Sequence, residues 1–357
     1  VSGNPSPAGP STAGTSRLAR TSTLVAVGLV ALQAVMVILL AWPNARLAPR
    51  DVPIAVAGPA QATAGLRQTL EKRAPDAFEV HVVADEAAAR GEIHDREVYG
   101  ALVVGAGAPK LLTASAASVP VSQLLTALAG EAAQGQPVKV EDVVAAPEGD
   151  PRGTGYAAGF LPLIMTAMAG GILLTVAVRA VSWQLSGAVV FALLAGLGST
   201  ALFQGWIDVI DGPYLLNSLA LSLMMLAISG TIIGAHAVFG VAGTVTGAFL
   251  MFLVGNPLSG AAAGPEMLPQ PWGTFGQYLP PGAGSHLLRS VAFFDGNDVA
   301  HPLTVLFGWV VLAGLLAATG LWLRRESEAP AAPAGGTEGS GVPRPVSSRP
   351  PAGDSRV

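Results

Sequence analysis

The 357-residue chain contains no cysteine and only three lysines, and Asp, Glu, Lys and Arg together make up 12% of it. Without cysteine there is neither a disulfide nor a thiolate metal site. An ATPase loop needs a glycine-rich turn ending in Lys-Ser or Lys-Thr, so that backbone amides and an ammonium group cradle phosphate. Lys72, Lys110 and Lys139 all lack that context. The one superficial match, Gly105, Gly107 and Lys110, has a proline before the lysine and a β-like run after it, and reads as a hairpin turn. The chain therefore does not hydrolyse nucleotide by itself. Soluble proteins carry about 25% charged residues. Half that charge, with 51% hydrophobic residues and a mean hydropathy of +0.53, defines an integral membrane chain. The net charge of −4 is unevenly spread, most charges falling between Arg46 and Arg152, which marks a separate water-soluble domain.

Residues 1–22 are rich in Pro, Gly, Ser, Thr and Ala and read as a disordered cytoplasmic tail. Arg17 and Arg20 precede an apolar run, 23–42, of the length a bilayer requires. Signal-peptide cores run to about 7–15 residues, so an uncleaved helix is expected here over a cleaved leader. From 43 to 155 short β-like and helical runs alternate. Strands are expected at Pro53–Ala57, Phe78–Val83, Tyr99–Val104 and Lys110–Ala114, and helices at Thr63–Arg73, Asp85–Glu97 and Val121–Ala133, with Asp85 as N-cap. That order predicts an extracytoplasmic α/β or α+β domain inserted between the first two spans.

Five more spans are expected within 156–323, at Tyr156–Val178, Gly187–Trp206, Tyr214–Gly234, Ala237–Gly255 and Pro302–Leu323. The predicted fold is thus an α-helical polytopic membrane protein with six transmembrane helices. Alternating spans put Arg17, Arg20, Arg179, Arg324 and Arg325 on one side, so both termini are expected in the cytoplasm of a multi-pass cell-membrane protein. Residues 324–357 read as a second disordered tail. Gly230/Gly234 and Gly243/Gly247, each at four-residue spacing, are candidate helix-packing positions, within one bundle or across a homodimer.

The stretch Gly255 to Asp298, within an outer hairpin spanning 256–300, is too polar to span and too apolar for an ordinary loop. Its run Ser285–Phe294 places Leu287, Leu288, Val291 and Phe294 on one helical face and is expected to lie in the membrane interface. Pro280 and Pro281 break any continuous helix there, and His286 and Arg289 are candidates to touch lipid headgroups or a substrate. The spans hold essentially no ionisable group, which argues against a proton-driven carrier. Asp208, Asp211 and His236 read as ordinary loop residues, and His81 and His94 lack a third histidine. No catalytic, cofactor-binding or metal-ligating set is expected, nor a nucleic-acid partner.

Two stretches carry a family resemblance. DREVYGALVV at Asp95–Val104 with KLLTASAAS at Lys110–Ser118, and NPLSG at Asn256–Gly260 with PQPWGTFGQYLPPGAGSHLLRSVAFFDG at Pro269–Gly296, resemble segments of the ABC-2 type membrane proteins, within them the phage-infection-protein (YhgE/Pip) group. The resemblance implies the permease subunit of an exporter powered by a separately encoded ATP-binding subunit, with the hairpin shaping the exit of a central path. The chain departs from a typical permease in its short inner loop, Arg179–Ser186, where Val181–Leu185 would be the platform for the ATPase. That departure leaves open a non-transporting receptor or secretion component that binds through its extracytoplasmic domain.

Overall fold

The computed structural model describes residues 12–105, 109–132 and 138–328. The remainder of both tails, the centre of the Gly105–Pro109 turn and Ala133 of the expected fourth helix lie outside the described residues. The first helix, α1 (Thr12–Ala45), begins well before the predicted run and includes residues 12–22, read from sequence as tail. It is exposed along its apolar length.

A mixed five-stranded sheet follows, built from β1 (Val52–Ala57), β2 (Phe78–Val83), β3 (Gly100–Val103), β4 (Lys110–Thr113) and β5 (Lys139–Asp142) in the order β2-β1-β3-β4-β5. β1 runs parallel to β2 and β3, β4 is antiparallel to β3, and β5 is parallel to β4. Helices α2 (Ala60–Arg73), α3 (Glu86–His94) and α4 (Val119–Ala132) complete the domain. The β1 side chains alternate between two apolar layers, Ala55 and Ala57 on one side, Val52 and Ile54 on the other, so β1 is buried on both faces. Asp85 caps α3 as expected, accepting a hydrogen bond from Ala88 N at 2.9 Å. β5 was not anticipated: KVED is short, charged at three of its four positions and at a sheet edge, so it lacks an apolar signature.

The bundle comprises α5 (Thr154–Ala177), α6 (Val181–Gly205), α7 (Tyr214–Phe239), α8 (Val241–Phe249), α9 (Trp272–Gly276), α10 (Pro280–Phe293) and α11 (Ala300–Glu328). Among the described residues, five helices are long and apolar enough to cross a membrane: α1, α5, α6, α7 and α11. The expected span Ala237–Gly255 takes another form. Its first residues finish α7, Gly240 turns the chain at φ 60°, and nine residues of α8 continue into a six-residue π-helical turn, Leu250–Gly255. At 1.5 Å per residue that apolar segment reaches roughly 20 Å, short of a bilayer core of about 30 Å.

α7 is the axis of the bundle, with α5, α6, α10 and α11 packed around it. Most of its apolar window is buried, which is why its polar residues need internal partners. Ser218, Ser222, Ser229 and Thr231 each donate their hydroxyl to the carbonyl one turn back, so none leaves its proton unsatisfied in an apolar medium. The paired glycines act inside this chain. A Cβ on Gly234 would lie 2.6 Å from the Ala313 carbonyl and one on Gly230 3.3 Å from the Ala313 Cβ, so both let α11 approach α7. A Cβ on Gly243 would overlap the Ala235 carbonyl, and one on Gly247 would touch Ile232, so this pair folds α8 back along α7.

Candidate functional site

Two features stand out where the sheet domain meets the bundle and along the bundle flank. The first is a polar junction. α10 was expected to lie in the membrane interface, yet eleven of its fourteen residues are buried against α7, α11 and the chain before it. Its apolar residues Leu287 and Leu288 enter the bundle core. Its polar residues Ser285, His286 and Arg289 line a cavity under the sheet domain. An amphipathic pattern shows that a helix has two environments but cannot say whether the polar one is water or protein.

Pro280 and Pro281 occupy the first turn of α10, both buried, where a missing amide hydrogen costs nothing. They start a helix after the Leu279 bend, and Pro281 packs on Gly255, where a Cβ would come within 2.8 Å of its ring. His286 Nε2 pairs with Asp298 Oδ2 at 2.7 Å. Burial works against the Asp298 carboxylate, but the His286 hydrogen bond together with the charges of His286, Arg96 and His301 outweighs it and holds Asp298 below the usual carboxylate range. Arg289 stacks its guanidinium 4.7 Å from the Tyr156 ring centre and donates from Nη2 to the Ala261 carbonyl at 2.9 Å.

From the sheet side, Arg96 follows α3 with φ 62°, a backbone turn that sends its side chain into the bundle. It donates to Ser290 Oγ and to the His286 carbonyl, and lies 5.2 Å over the Phe294 ring. The residue keeps some surface in water while its guanidinium is enclosed; burial first, then the Arg289 charge, push its pKa down. Tyr99 donates to Glu266 Oε2 at 2.6 Å. Burial, then the Glu266 charge, raise the phenol well above its ordinary value, so it stays protonated as a donor. Phe294, which caps the C-terminus of α10, belongs to the apolar core of the sheet domain, and its neighbour Phe293 packs against that core and the bundle's. Arg50, Ser118 and Gln277 bind the carbonyls of Met267, Ala263 and Ser259, which fastens the irregular chain between α8 and α9 to both bodies.

The second feature is a groove of about 520 Å3 on the bundle flank, lined by Val189 and Leu193 of α6, Leu219 and Leu223 of α7, Leu287 of α10 and Phe307 of α11. Ser222, hydrogen-bonded within its own helix, is the single polar side chain on its walls.

Other sequence candidates remain apart. Asp208 and Asp211 precede α7, whereas His236 closes it and pairs with Thr244 Oγ1 at 2.8 Å, so roughly 35 Å of helix separates them. The Val181–Leu185 platform is the first turn of α6, with Val181 buried. In the sheet domain, His81 Nδ1 lies 3.3 Å from Glu92 Oε2, and with Glu97 they form a cluster whose ligating atoms lie within 4.8 Å of one another. In sequence Glu97 reads as the end of the helix Asp85–Glu97; α3 instead ends at His94, and the turn after it brings Glu97 to His81 and Glu92. Compared with models of protein families, with curated proteins and with solved structures, the chain matches none.

Proposed function

We propose that this chain is the transmembrane permease subunit of an ABC-2 type exporter for an apolar, lipid-like substrate, driven by a separately encoded ATPase. The observation that carries the reading is the flank groove: its walls come from four helices, and their apolar lining suits an acyl chain and offers nothing to an ion or sugar. In this reading the protein lies in the cell membrane with both termini in the cytoplasm, the sheet domain outside, and 241–255 completing a sixth, shortened crossing together with the irregular chain that follows it.

A second reading has its own support. Only residues 178–180 separate α5 from α6, and Gly240 alone separates α7 from α8. An ATPase would find little but helix ends on that side. A receptor or secretion component, anchored by the bundle and binding through the sheet domain, needs no such contact. Mild-detergent extraction of the tagged chain from its native membrane decides between them. The exporter reading expects a stoichiometric ATP-hydrolysing subunit in the eluate. A chain that elutes alone, from cells whose ATP-driven lipid movement survives its deletion, favours the second.

A further inference from the structure

The polar cavity at the junction has a volume of about 90 Å3. One water needs at least about 10–15 Å3 on this measure. The space therefore accommodates several waters or one small polyatomic ion. Arg96 from the sheet domain and Arg289 from α10 both line it, with Ser285, Gln277 and Tyr99 around them. Each guanidinium carries five N–H donors. The hydrogen bonds formed among the described residues use Nη1 of Arg96 and Nη2 of Arg289. Arg289 is 8% exposed and Ser285 1%, yet Arg289 Nε and Ser285 Oγ have no partner. An unmet buried donor is costly, most of all on a charged group.

Two like charges enclosed together need a counter-charge. Glu266 and Asp298 line the same cavity but are held elsewhere, Glu266 by the Tyr99 hydroxyl and Asp298 by His286. Among the described residues neither forms an ion pair with either arginine. The buried atoms left without a partner are Arg289 Nε, a donor, and the Ser285 hydroxyl, which can donate; with the N–H groups of Arg96 they converge from two bodies on one enclosed volume. That set matches the acceptor oxygens of a phosphate group, which takes forked N–H donors from arginine. The two fixed carboxylates limit the charge the cavity accepts, so a singly charged phosphate fits better than a dianion.

We propose that the cavity between Arg96 and Arg289 binds a singly charged phosphate group, and that the bound group ties the sheet domain to α10. This stands apart from the export reading, since it concerns the junction and not the flank groove. The phosphate has two sources, free inorganic phosphate or the phosphodiester of a lipid headgroup. Ser259 and Gly260 also wall a neighbouring pocket of about 410 Å3 beside α1 and α5, where the body of a lipid has room.

The test uses the full chain purified in a phosphorus-free detergent and stripped of lipid, with thermal unfolding followed against inorganic phosphate at pH 6 and constant ionic strength. A rise in midpoint with phosphate but not with chloride, weakened at least about tenfold in apparent affinity by Arg289→Gln and partly restored by Arg289→Lys, supports the free-ion source. If instead the unstripped protein retains about one phospholipid by native mass spectrometry, and Arg96→Gln or Ser285→Ala loses it while still eluting as a folded species, the headgroup is the source. No phosphate-dependent shift, together with phospholipid that is absent or is retained equally by Arg96→Gln, Ser285→Ala and Arg289→Gln, overturns the proposal and leaves water as the occupant.

Discussion

Phe294→Ala is the sharpest probe of how the sheet domain is held. The ring is 1% exposed, is carried on the end of α10 yet buried in the sheet-domain core, and lies under the Arg96 guanidinium. Truncating a buried phenylalanine costs about 3–5 kcal/mol. Loss of the desolvated cation–π contact adds about 0.5–2 kcal/mol. Because a residue at the end of a bundle helix is buried in the sheet-domain core, much of this loss should appear as easier separation of sheet and bundle and not as unfolding of either. If about 3 kcal/mol falls on separation, the open population rises about a hundredfold. Hydrogen exchange in detergent measures it. Junction amides Phe294, Gly296 and Asn297, bonded to Ser290 and Phe294 carbonyls, should exchange about a hundredfold faster, while amides of the α7 centre, Met224 to Ile232, stay protected. Phe294→Leu, which keeps most of the volume, should lie between. Unchanged junction exchange, or equal loss of protection throughout α7, would refute a hinge-like docking through this ring.

Gly234→Leu forces side-chain atoms where a Cβ alone would meet the Ala313 carbonyl at 2.6 Å, so α11 should be displaced at a cost of about 1–3 kcal/mol or more; a lowered thermal midpoint checks this, with Gly198→Leu, where a Cβ meets open space, as the neutral comparison. Glu141 accepts from Lys110 and Arg90, which lower its pKa to about 2, and the same two groups lower Glu86. A depressed carboxylate contributes stability above its unfolded pKa of about 4.5 that is lost as pH falls through about 2. The wild-type midpoint should therefore fall between those values, and Glu141→Gln should flatten the fall; an identical profile in both proteins would contradict it. Replacing Pro280 and Pro281 together with alanine should leave membrane insertion intact, since alanine suits a first helical turn, while loosening the contact with Gly255 and impairing function; normal activity in that variant would remove the hairpin from the mechanism.

Much of the architecture is legible in the sequence because its signals are long or chemically specific. Twenty-residue apolar runs declare spans, and Asp85 declares the start of α3. Legibility fails where the signal is short or relational. KVED carries no apolar alternation, so β5 needed β4 beside it. The Ala237–Gly255 run has the composition of a span, but Gly240 is the turn and Gly243 and Gly247 are the close-packing residues that fold it onto α7. The site is less legible still. His286 and Arg289 stand out in the sequence, but Arg96 lies 190 positions from the His286 carbonyl it meets, and Tyr99 and Glu266, which line the same cavity, are 167 positions apart. No local pattern connects such residues, and the polar face of α10 looks the same whether it meets headgroups or a protein cavity.

The exporter reading is tested most directly by lipid movement in sealed inside-out vesicles from the native membrane, where any partner ATPase is present. Leu223→Trp fills the flank groove from its α7 wall, at a partly buried position on the margin of the bundle core. ATP-dependent translocation of a fluorescent lipid analogue should occur with the wild-type chain and be lost both on its deletion and in Leu223→Trp protein that remains folded in the membrane. Translocation that continues at the wild-type rate in vesicles lacking the chain would contradict the account.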